Sequence, residues 1–226
     1  MFKPEKYFDL ENFKHSTIFK DINLVWEVLP KINSYILENI KPQNLGQLIS
    51  TAYIDDNVEI GEGTIIEPNV VIIGPAIIGK NCHLRSSAYL RGNVIIGDNV
   101  VVGNSTEVKN SILFNNVNIP HFNYVGDSVL GYKAHLGAGV ILSNTKTPPS
   151  PIKIQTLEKK YETNLIKFGA IIGDKTEIGC NAVMNPGTII GKNCLVYPGT
   201  IFKGVSPHDA IIKSRQEQEV VIKLKK

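Results

Sequence analysis

Cysteine is scarce: the chain of 226 residues has three, Cys82, Cys180 and Cys194. An odd number without paired metal-ligand spacing argues against a disulfide framework and a zinc site, and suits a reduced, cytoplasmic setting. Excess charge is also missing. Lys and Arg number 24 against 21 Asp and Glu, a net charge of +3, so nothing in the charge favours a nucleic-acid partner. No apolar run is long enough to cross a bilayer, so no membrane partner is expected. The first residues, MFKPEKYFDLENF, carry charges where a secretory signal needs its apolar core. With 42% hydrophobic and 20% charged residues, what remains is the composition of a soluble globular protein of one or two domains.

What is present is a period of six. From Tyr53 the chain reads YIDDNV, EIGEGT, IIEPNV, VIIGPA, IIGKNC, HLRSSA, YLRGNV, IIGDNV, VVGNST, EVKNSI, LFNNVN. The second residue of every block is apolar, from Ile54, Ile60 and Ile66 through Ile78 and Ile96 to Val108 and Phe114. A period of six fits neither a helix nor plain strand alternation, and is the mark of a parallel β-helix. One block makes a short strand and a corner, and three blocks close a coil of about eighteen residues. Residues one coil apart then stack about 4.8 Å from each other. No coil buries its apolar face alone, so the coils stabilise one another only as a stack. Hexads of this kind are the pattern of the left-handed β-helix, a hand opposite to the usual crossover rule.

The period divides the chain. Residues 1–50 lack hexads and are expected to form a helical cap on one open end of the stack, with Asp21 as N-cap and Pro30 kinking the helix. The β-helix is expected over 51–205. Its register slips at IPHFNYVGD and breaks over about 145–166, where Pro148, Pro149 and Pro151 end the regular coil. There IKIQTL and TNLIKF are expected to pair as a hairpin around EKKYE. Residues 206–226 form a tail that leaves the stack.

Chemistry concentrates where the register changes. Arg91 and Lys109 lie 18 positions apart, one coil, so the two cations are expected side by side. Left unpaired they repel and invite an anion; alternatively Glu107 or Asp98 neutralises them, or both reach into solvent. His121 sits on the slipped segment and has the chemistry of a general base, although a lone His is more often structural. His83, His121 and His135 lack the close pairing of a metal site, so no metal is expected. Cys180 and Pro198 are also one coil apart, and no basic neighbour marks Cys180 as a nucleophile.

The stretch STEVKNSILFNNVNIPHFNYVGDSVLGYKAHLGAGVILSN resembles the acetyltransferase domain of bacterial N-acetylglucosamine-1-phosphate uridylyltransferase/glucosamine-1-phosphate acetyltransferases. It is also similar to the C-terminal domain of archaeal sugar-1-phosphate nucleotidylyltransferases. The archaeal type looks closer: Trp26 and Leu29 before the hexads, the hairpin insertion and KFGAIIGDKTEIG are shared. The resemblance covers about 20–215. It implies that Arg91 and Lys109 hold a sugar 1-phosphate and that His121 deprotonates the sugar amine. It places Tyr124 on the sugar, Asn144 and Lys167 near sugar and acyl group, and the Ala138 N–H at the acetyl carbonyl. Cys180, Pro198 and Arg215 fall where the family meets acetyl-coenzyme A.

His135 stands where the bacterial enzymes have a sugar-contacting asparagine, which puts glucosamine specificity in question. No Gly-rich nucleotide loop precedes the hexads, so synthesis of a nucleotide sugar is not expected. The implied protein is a homotrimeric, cytoplasmic N-acetyltransferase that uses acetyl-coenzyme A and needs no metal. Two other readings stay open: an acyltransferase of the same fold fed by acyl carrier protein, and a non-catalytic oligomerisation or regulatory subunit of a nucleotidylyltransferase.

Overall fold

A computed structural model describes residues 2–49, 51–215 and 217–222. Its centre is a three-sided parallel β-solenoid. Among the described residues, the first and second faces hold nine strands each and the third eight, and a separate two-stranded hairpin lies outside them. On the first face Ile60 pairs with Ile78 and Ile78 with Ile96, the stack that the period of six requires. The inward ladder of the third face runs Ile72, Leu90, Val108, Val125, Leu142, Met184, Phe202. Isoleucines 60, 72, 78 and 96 are at most 1% exposed, and full burial of such a side chain contributes roughly 1.5–3 kcal/mol.

Corners explain the recurrent Asn. Asn69, Asn81, Asn99, Asn116, Asn181 and Asn193 all adopt positive φ, between 52° and 62°, a left-handed conformation that Asn tolerates far better than branched residues. Inside, Thr64 accepts from the Cys82 N–H at 3.0 Å and donates to the Gly79 carbonyl at 2.8 Å, so a buried hydroxyl stitches one coil to the next.

The coil length changes at one edge. Ile96 pairs with Leu113, 17 residues on, and Leu113 with Leu130. The hexads therefore do not run unbroken to 118. A residue is lost where the third face turns into the first, at Lys109–Asn110–Ser111. Leu113 consequently takes the inward place that strict counting assigns to Phe114. Phe114 instead points out and stacks on Phe13 with ring centroids 4.0 Å apart and on Phe8 at 4.9 Å.

Those rings belong to the N-terminal segment, which corrects the expected end cap. Lys14 reaches Glu59, Asn33 bonds Asn93, Asn12 bonds Asn115 and the Asp9 N–H donates to Asp174. These partners lie on four different coils, so the segment runs along the flank. It covers the outward ladder Ile77–Ile95–Ile112 of the first face, whose members are at most 1% exposed.

Asp21 does not cap a helix. Its φ of 60° is far from the extended backbone an N-cap needs. Glu27 accepts from the Asn23 and Leu24 N–H groups instead, opening a 3-10 helix Val25–Lys31 that contains Pro30, followed by an α-helix Ile32–Asn39. The stack is longer than 51–205. Gln43–Asn44 and Gln47–Leu48 already pair with it, and Val205–Ser206 and Ile211–Ile212 extend it beyond the expected tail boundary.

The insertion does hold a hairpin, but a shorter one. Lys153–Gln155 pairs antiparallel with Lys160–Glu162, so the second strand lies in the charged stretch rather than in TNLIKF. Thr156 closes the turn with Lys159. The Tyr161 ring decides the pairing by packing on Phe2 at 5.1 Å and Trp26 at 6.0 Å.

Candidate active site

The candidate residues separate onto the two edges of the third face. The edge between the second and third faces carries His121, Ala138, Cys180 and Pro198 in one column. Backbone bonds tie it together: Gly139 N–H to His121 O at 3.0 Å, Asn181 N–H to Ala138 O at 2.8 Å, Gly199 N–H to Cys180 O at 2.9 Å. His121 is exposed, and its ring lies 6.3 Å from that of the exposed Phe122. Its N–H donates to Asn123 Oδ1 at 3.2 Å. Cys180 is exposed, whereas Cys82 and Cys194 are buried. Burial pushes the Cys82 thiol up to about 11.

The opposite edge, between the third and first faces, carries Arg91 and Lys109. Leu90 pairs with Val108, so the residues that follow them stand one coil apart as the spacing demands. Of the alternatives open from sequence, neutralisation by carboxylates is the one observed. Arg91 Nη1 meets Glu107 Oε1 at 2.7 Å, and Lys109 Nζ meets Asp127 Oδ2 at 3.1 Å. Glu107 is one of the two neutralising partners considered from sequence. Asp98 is not the other: its carboxylate accepts from the Lys80 N–H.

Asp127 organises this edge. It is 4% exposed and accepts from Lys109 Nζ, from Asn110 Nδ2 at 2.8 Å and from Asn144 Nδ2 at 2.5 Å. The missing residue at the 109–111 corner, and another between Val125 and Leu130, draw these groups in. Tyr124 lies between the edges. Burial first, then the charges of Glu107 and Asp127, pushes its phenol above the ordinary value against an opposing hydrogen bond from Asn144. Three residues of strand, about 10 Å, separate the two columns.

Other candidates lie apart. His135 stands on the second face, paired in register with Asn118 and Glu177. Lys167 is exposed at the end of the insertion and precedes Phe168, whose N–H donates to Asn144 O at 2.9 Å. Arg215 is exposed beyond the last coil. His83 is bound to Glu67 at 2.6 Å. Among the described residues no three His, Cys, Asp or Glu side chains gather as a metal site, and no helix is long and apolar enough to cross a membrane. Sequence reasoning passed over Asp127 and Asn110, although both stand in the quoted motif. In the shortened coil Lys109 pairs with Gly126, which sets Asp127 one coil from Asn110, 17 positions on.

The repeat and the stack define a hexapeptide-repeat fold, the left-handed parallel β-helix. The family description "Bacterial transferase hexapeptide (six repeats)" matches residues 169–204, and "GMPPB C-terminal domain" matches residues 72–155. The chain is 33% identical over 218 residues to the Bifunctional protein GlmU of Methanococcus aeolicus, covering 96% of this chain and 52% of that protein. It is 33% identical over 174 residues to the bifunctional sugar-1-phosphate nucleotidylyltransferase/acetyltransferase of Sulfurisphaera tokodaii, covering 74% and 42%. Among solved structures, Arabidopsis UDP-N-acetylglucosamine acyltransferase is similar with a TM-score of 0.46 and 16% identity, covering 78% of this chain and 71% of that one. The chain spans about half the length of the curated relatives it matches.

Proposed function

We propose that this chain transfers an acetyl group from acetyl-coenzyme A to the amine of an amino-sugar 1-phosphate. The observation that supports it most is the arrangement on the third face. An exposed histidine heads a column of small corner residues on one edge, and a cationic column stands one strand away on the other. His121 accepts a proton from the amine as it attacks the thioester carbon. The tetrahedral oxyanion is held by the Ala138 N–H, which makes no hydrogen bond among the described residues. The thiol of coenzyme A leaves with a proton. Arg91 and Lys109 take the sugar phosphate by sharing or exchanging their carboxylate partners, and Tyr124 and Asn144 contact the sugar. His135, Lys167 and Arg215 reach a site of this kind from a neighbouring subunit in a homotrimer. Cys180 and Pro198 line the path of the coenzyme.

The test is thiol release from acetyl-coenzyme A across a panel of amino-sugar 1-phosphates, with the acetylated product confirmed by mass. No turnover with any member sinks the reading. The two ion pairs favour one competitor, a non-catalytic subunit in which Arg91 and Lys109 are structural. That reading predicts no turnover and co-purification with a nucleotidylyltransferase chain.

A further inference from the structure

Two cations without carboxylate partners among the described residues lie further along the same edge. A cavity of about 490 Å³ opens between the insertion and the last coils, lined by Ser143, Thr145, Lys146, Ser150, Asn185 and Lys203 together with Thr147 and two prolines. Among the described residues no acidic side chain lines it. Lys146 and Lys203 form no ion pair among the described residues. Lys146 Nζ donates to the Pro151 carbonyl at 2.6 Å, which anchors its ammonium and leaves two further N–H donors. Leu142 pairs with Met184 and Met184 with Phe202, so the residues that follow them, Ser143, Asn185 and Lys203, stack in one column. That column continues the line of Arg91 and Lys109 through Gly126.

We infer that this cavity is an oxyanion site for a phosphorylated substrate, distinct from the Arg91–Lys109 corner. Two ammonium groups, hydroxyl donors, an amide and the absence of carboxylates suit phosphoryl oxygens, because hydrogen bonds from charged donors to such oxygens are short and strong. The Arg91–Lys109 corner offers the opposite balance, each cation beside a carboxylate. Four coil steps separate Lys109 from Lys203, about 19 Å along the stack, so one phosphate does not bridge them. With the acceptor's phosphate on Arg91 and Lys109, the cavity takes a phosphate from the nucleotide part of the thioester donor; if those two cations keep their carboxylates, it takes the acceptor's instead. The inference stands on charge and geometry, and does not require the proposed acetyl transfer.

Calorimetric titration with inorganic pyrophosphate at low ionic strength tests it directly. Wild-type protein and the Arg91→Ala variant should bind with similar affinity. The Lys146→Met/Lys203→Met double variant should bind at least about tenfold more weakly, the loss expected when charged donors are removed. Lys203 is exposed and Lys146 half-buried, and thermal melts check that the double variant is folded. Absence of binding to the wild type at millimolar pyrophosphate, or loss of binding in Arg91→Ala but not in the double variant, overturns the site. Steady-state kinetics then separates the sources. A raised KM for the acceptor alone assigns the acceptor's phosphate. A raised KM for acetyl-coenzyme A, absent with the phosphate-free acetyl-pantetheine, assigns the donor's. No change in either KM overturns the assignment to a substrate. If wild-type protein shows no turnover, the titration still decides the site, so the two failures are told apart.

Discussion

The two edges of the third face are built from the same repeat and do different things with it. Along the His121 edge the corners keep their regular spacing, and the His121 and Cys180 side chains are exposed. Along the Lys109 edge the corners lose residues, and the polar groups turn onto one buried carboxylate. The contrast teaches that a solenoid gains a site in two ways. A regular corner offers reactive groups and backbone N–H donors in a line. A shortened corner brings distant side chains into contact and fixes them.

The contrast would break first at His121. His121→Ala should lower turnover by roughly 10²–10⁴ while leaving the melting curve unchanged, since an exposed ring contributes general-base chemistry and little packing. Near-normal turnover in the folded variant would end the catalytic assignment. Asp127→Ala should behave the other way. It strands a partly buried ammonium and two amides, so urea denaturation should show about 2–4 kcal/mol of lost stability. A loss within experimental error would mean that the carboxylate is not what holds the shortened corner.

Arg91→Ala sharpens the comparison within the cationic edge. Its pair with Glu107 is solvent-exposed and should contribute less than about 1 kcal/mol to stability. Its loss should nevertheless weaken sugar-phosphate binding by about tenfold. Unchanged affinity would leave the proposed phosphate role to the cavity around Lys203. The smallest effect concerns Cys180, which should react with a disulfide reagent in the native protein while Cys82 and Cys194 do not. Burial holds the Cys82 thiol up to about 11, so it stays protonated and inert in neutral buffer. Saturating coenzyme A should slow the labelling; equal rates would remove Cys180 from the proposed donor path.

Much of this was legible in the sequence, and for a physical reason. Ile60, Ile78 and Ile96 could be placed on each other because a stacked strand pays a large penalty for any apolar residue that turns outward. The period fails where that penalty is met by a neighbour. Phe114 leaves the inward row because Phe8 and Phe13 bury it from outside, and a count along one strand has no access to a segment a hundred residues earlier. The N-terminal segment was misread for the same reason. Its apolar residues are as well buried on a flank as on an end, and only the partners Glu59, Asn93, Asn115 and Asp174 tell the two apart. Arg91 and Lys109 were placed correctly relative to each other. The pairing of Arg91 with Glu107 was among the readings open from sequence, whereas that of Lys109 with Asp127 lies at a corner one residue shorter than the repeat, which a strict count of six does not announce.

Trp26 is the single tryptophan of the chain, and its surroundings give it a use. It is 1% exposed and lies against Phe2 of the N-terminal segment, against Tyr161 of the insertion and against Phe168 just after it. Tyrosine transfers excitation efficiently to an indole 6.0 Å away, and the emission wavelength of a buried indole moves to the red when water reaches it. The protein therefore carries its own optical gauge of whether hairpin and flank are in contact, readable in the unlabelled wild type as ligands are added.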